Sequence, residues 1–134
     1  MPLSEQQATE LAKAYTSASA RLGQFRSDNI AKLSPGERSD LEHAEWTMIG
    51  ISSKLITTAV GLSLDAMEGD LNNITEAANK ALSVVRSIDS IQNILTVSGA
   101  MITMGGAIAS GHPQAIISAA TALSAAADAC THHQ

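Results

Sequence analysis

Apolar side chains recur at steps of three and four along nearly the whole chain, the spacing that lines one face of an α-helix. Over residues 4–32 that face is Ala8, Leu11, Tyr15, Leu22 and Phe25, with Lys13, Arg21 and Arg26 on the wet side. Ser4 is placed to cap this helix, and Gln7, three residues on, is its reciprocal partner. Over residues 35–67 the stripe is Leu41, Ala44, Met48, Ile51, Leu55, Thr58 and Leu62, widened by Ile49, Ile56, Ala59 and Val60. Lys54 is the only charge between Trp46 and Leu64, so this second helix is expected to be buried on most sides. A long third helix is expected over residues 71–110. One of its stripes runs Ile74, Ala77, Ala81, Val84, Ile88, Ile91, Leu95, Ser98, Ile102, Gly105, Ala109. A second begins only at Ile94 and continues through Val97, Met101, Met104 and Ile108. The fourth helix, over 113–129, carries Ile116, Ala119 or Ala120, Leu123, Ala126 or Ala127, and then Cys130.

The punctuation agrees with the periodicity. In Ser34-Pro35-Gly36-Glu37, Ser34 caps, Pro35 takes the first helical position where no N–H is needed, and Glu37 closes a reciprocal capping box. Gly69 suits a left-handed helix end and Asp70 a cap. Gly111-His112-Pro113 ends one helix and starts the next. Gly99, Gly105 and Gly106 each cost about 1 kcal/mol against Ala inside a helix, and so mark a kink or the close approach of another backbone. Asn-Gly turns and two-residue alternation are both missing. The pattern therefore predicts an all-α fold in one domain over residues 1–134. It is a four-helix up-and-down bundle with a long third helix and a charge-free C-terminal helical hairpin.

Composition narrows the function. Hydrophobic residues make up 45% of the 134, enough for a core, and one Trp, one Tyr and one Phe leave that core to aliphatic side chains. The eight basic residues are scattered between Lys13 and Arg86 and are outnumbered by thirteen acids, for a net charge of −5. Nucleic-acid binding needs concentrated positive charge and is not expected. A single cysteine, Cys130, excludes an intrachain disulfide. The first residues carry neither a basic region nor an apolar run, so a cytoplasmic protein is expected, with signal-less export compatible.

Catalytic and metal chemistry find little to use. Asp40, Glu42, His43 and Glu45 cluster near the start of the second helix, and Asp40 and His43 share a face. A di-iron bundle needs two Glu-x-x-His motifs, and the chain has none, so the cluster reads as a solvated first turn. Cys130, His132 and His133 are three donors in a tail expected to fray, and His112 is a turn residue with no nucleophile to serve. Neither a Gly-x-Ser-x-Gly elbow nor a phosphate-binding loop occurs. No enzyme and no cofactor are expected.

The absence of Asp, Glu, Lys and Arg over residues 90–127 is the most informative feature. Two apolar stripes on one helix exceed what three neighbours easily hide, and exposed apolar patches mark interfaces. A protein–protein interaction module is expected, with a protein partner or a homodimer centred on Met101 and Met104 and flanked by Ile94, Val97 and Ile108. The alternative is a membrane-active protein that inserts the apolar hairpin of residues 91–129. Its arms fall short of the roughly 18 consecutive apolar residues of a spanning helix, which favours the interaction module. Leu55→Asp should abolish cooperative folding, because an unpaired buried carboxylate costs several kcal/mol. Lys80→Glu should leave the thermal melt, followed by circular dichroism, nearly unchanged.

Overall fold

The computed structural model describes residues 5–55, 71–87 and 90–132, and every regular element among them is an α-helix. These are α1 (Glu5–Asp28), α2 (Pro35–Leu55), α3 (Leu71–Ser87), α4 (Ile91–Ser110) and α5 (Pro113–His132). The Ser4 cap, residues 56–67 of the expected second helix, the break at 69–70 and Ile88 lie outside the described residues.

Two of the expected breaks form as the local chemistry dictates. The Ser34 amide donates to Glu37 Oε1 at 2.9 Å and the Glu37 amide donates to Ser34 Oγ at 3.1 Å, the two halves of a capping box. Gly111 stands at φ 74°, a left-handed conformation that glycine adopts without Cβ strain. Its amide donates to the Ala107 and Ile108 carbonyls at 3.2 and 3.1 Å, and Pro113 opens α5 two residues later.

The long third helix is corrected: it is two helices, so the described residues contain five rather than four. Ser90 is extended (φ −86°, ψ 123°) and its hydroxyl accepts from the Asn93 amide at 3.4 Å, which caps α4. A new helix starts with its own phase. That is why the stripe from Ile94 to Ile108 faces the core, while Ile91, Leu95 and Ile102 are only partly buried.

The helices pack side by side around one core. α1 lies against α2 and α3, α2 against α4, α4 against α5, and α5 against α3, with α3 and α4 also touching. The α1–α2 seam is antiparallel and polar at its edges. Arg26 reaches Glu45 at 2.8 Å, Ser19 Oγ donates to the Glu45 carbonyl at 2.9 Å, and Ser52 Oγ donates to the Ala12 carbonyl at 3.0 Å. Arg21 donates to the Val85 carbonyl in the last turn of α3 at 3.2 Å, where a helix end lacks internal partners. The expectation that Arg21 and Arg26 sit on a wet side is corrected, since both are half-buried and engaged.

The centre is tied by Tyr15, which is fully buried. Its hydroxyl donates to the Met101 carbonyl at 2.5 Å and faces the Gly105 amide, the two ends of one turn of α4. Gly105 also receives Ile51, because a Cβ there would stand 2.6 Å from Ile51 Cγ2. Burial raises the Tyr15 phenol well above its ordinary range, against the smaller opposing effect of the Gly105 amide. Tyr15→Phe should destabilise by about 1–2 kcal/mol in denaturant titration. The raised phenol also gives the sign of the alkaline limb. The contribution of Tyr15 to stability is constant below about pH 10 and falls above it, because the unfolded chain loses its phenolic proton first. That fall should be smaller in Tyr15→Phe.

Candidate interaction surface

The residues expected to form an interface are inside the chain. Ile94, Val97, Met101, Met104 and Ile108 are all 0% exposed, covered by α1, α2, α3 and α5. As a surface patch they are corrected: the extra helix break turns this stripe inward.

The apolar side chains that do reach solvent lie elsewhere. Among the described residues these are Ile30 after α1, Ile117 on α5, and Trp46 and Ile49, 68% and 44% exposed, which stand together on the outer side of α2. Over residues 35–55 the expectation that this helix is buried on most sides, with Ile49 widening the core face, is therefore corrected; its continuation through Ile56, Ala59 and Val60 lies outside the described residues. The core face is Leu41, Ala44, Met48, Ile51 and Leu55, and it occupies only one side. Trp46 falls two residues from both Ala44 and Met48, which places it across the helix from them. Reading that offset on the helical wheel would have found it in the sequence.

Around Trp46 the outer side of α2 carries Glu42 one turn before, Gly50 one turn after and Lys54 a turn beyond that, all exposed. A Cβ added to Gly50 would meet nothing within 4 Å, so an open notch adjoins the indole. Glu45 is committed to Arg26, whose guanidinium pKa is raised first by that hydrogen bond and then by the same carboxylate's charge, with Glu42 a lesser contributor. Asp40, Glu42 and His43 are exposed, and no group of three His, Cys, Asp or Glu side chains able to hold a metal occurs among the described residues.

The C-terminal hairpin presents a different surface. The outer side of α4 carries Thr96, Gly99, Thr103 and Gly106, all exposed and uncharged. α4 is the one helix among the described residues long and apolar enough to cross a membrane, yet only 39% of its apolar window is buried. Between α3 and α5 lies a cleft of about 260 Å³, lined by Asn73, Ile74, Glu76, Ile117, Ala120, Thr121 and Ser124. Its lining offers one carboxylate, an amide and two hydroxyls, and the Thr121 hydroxyl donates to the Ile117 carbonyl within α5. His112 is exposed at the hairpin tip. Cys130 is buried, its thiol 3.9 Å from the Asn93 carbonyl and its pKa raised by burial. The side chains of His132 and His133 lie outside the described residues.

Comparison of the chain with protein-family models, with curated proteins and with solved structures finds no match.

Proposed function

We propose that the chain is a non-enzymatic helical interaction module that self-associates. One observation carries this reading: the single Trp stands 68% exposed on a helix whose opposite side is in the core, with Ile49 beside it. Tryptophan is the residue type most enriched at binding hot spots, and an exposed indole with an aliphatic neighbour gains most by desolvation. The contact face is then on α2, in place of the Ile94–Ile108 stripe. Light scattering after gel filtration, at hundreds of micromolar, should give a mass above one chain, and Trp46→Ser should return it to the single-chain mass. A single-chain mass in the wild type, or an assembly indifferent to Trp46→Ser, would sink this reading.

A second reading, insertion of the α4–α5 hairpin into a bilayer, is supported by α4 alone. A helix of 20 residues spans about 30 Å, the thickness of a hydrocarbon core. No side of α4 carries an ionised group. In this reading the chain releases dye from phosphatidylglycerol–phosphatidylcholine vesicles at acidic pH, and Thr103→Glu on the exposed side abolishes the release. Vesicles that stay sealed would remove it.

A further inference from the structure

We infer that two copies of the chain pair through α2, antiparallel about a two-fold axis at the level of Met48. Glu42 of each copy then meets Lys54 of the other, and Trp46 of each copy seats over Gly50 of the other. This rests on the self-association reading and names its partner and geometry.

One row of residues carries this pairing. Glu42, Trp46, Gly50 and Lys54 follow each other at steps of four, so they form a single ridge along the helix surface. All four are exposed. The row is about 18 Å long, short enough to be spanned by one helix-on-helix contact. Its order is self-complementary when reversed. An acid stands at one end and a base at the other, while the largest side chain and the absent one stand between them. An isologous antiparallel contact pairs position 42 with 54 and 46 with 50. A parallel contact would pair each residue with itself, setting acid on acid, base on base and indole on indole.

The neighbours permit the match. The space above Gly50 is open, and Ile49 extends the apolar ground beside Trp46. The ion pairs among the described residues are Arg26 with Glu45 and Lys80 with Asp128, which leaves Glu42 and Lys54 available. Glu42 feels Arg26 only weakly, behind the Glu45 that Arg26 holds directly. Opposite charges at the two ends set direction and register, and the central indole supplies the apolar contact. A contact of one helix side on another lies at the small end of specific interfaces, so dissociation constants on the order of 10–100 µM are expected.

The test is charge exchange, followed by sedimentation equilibrium with circular dichroism as the check on folding. Glu42→Lys alone and Lys54→Glu alone each set like charges at both ends of the contact, and each should raise the dissociation constant about tenfold. The two substitutions in one chain should restore it to within about twofold of wild type. That doubly exchanged chain should not pair with wild type, since the mixture again opposes like charges. Single variants that associate as wild type does, or a double variant that stays as weak as the singles, would overturn the antiparallel pairing. In that event continued sensitivity to Trp46→Ser would leave self-association through α2 standing. A wild type at single-chain mass overturns both.

Discussion

The rest of the packing depends on where the Tyr15 hydroxyl goes. A phenol at the centre of an aliphatic core must find a partner or forfeit its hydration, at a cost of about 1–3 kcal/mol. No side chain among the described residues meets it; it meets the backbone of α4, donating to Met101 and facing the amide of Gly105. Backbone groups cannot be moved by a change of rotamer, so this contact sets the height of α1 against α4 to within a fraction of a turn. α2 is then positioned from both sides. Its Ser52 is tied to Ala12 on α1, and its Ile51 fills the place a Gly105 side chain would take on α4.

Most of the helical content could be read from residues alone, because faces and caps are local. The Ser34–Glu37 box and the Gly111 end depend on a few neighbouring atoms, and they formed where the sequence placed them. The break before α4 was hidden. Val84, Ile88, Ile91 and Leu95 keep helical spacing straight across it, so periodicity sees one element. The Ser87, Asp89 and Ser90 group was the competing sign, since short polar side chains that bond to nearby backbone favour helix starts. The phase of α4 also decides which side chains can form an interface. Counting stripes measures how much apolar surface a helix has, whereas its phase decides which stripe faces out. With α4 rephased, Met101 and Met104 turned inward, and the large apolar side chains exposed among the described residues proved to be Ile30, Trp46, Ile49 and Ile117, none of them on the Ile94–Ile108 stripe.

Small polar groups do much of the positioning in a chain with three aromatics. Ser19, Thr16 and Ser52 stitch α1 to α2 through carbonyls and one another, each bond contributing about 1 kcal/mol net but fixing register. Not all such groups are so well placed. Ser98 Oγ, buried in α4, has no hydrogen-bond partner among the described residues.

The burial of Cys130 has a kinetic consequence. The thiol sits where the start of α4 meets the end of α5, sheltered beside the Asn93 carbonyl, and it is the only sulfhydryl in the chain. A thiol reacts as the thiolate, and burial holds this one protonated as well as covered. Its modification must therefore wait for the mouth of the hairpin to open. The rate at which the native protein consumes a thiol reagent becomes a clock for that local opening, separate from global unfolding. The fold thus carries its own reporter at the point where α4 and α5 separate.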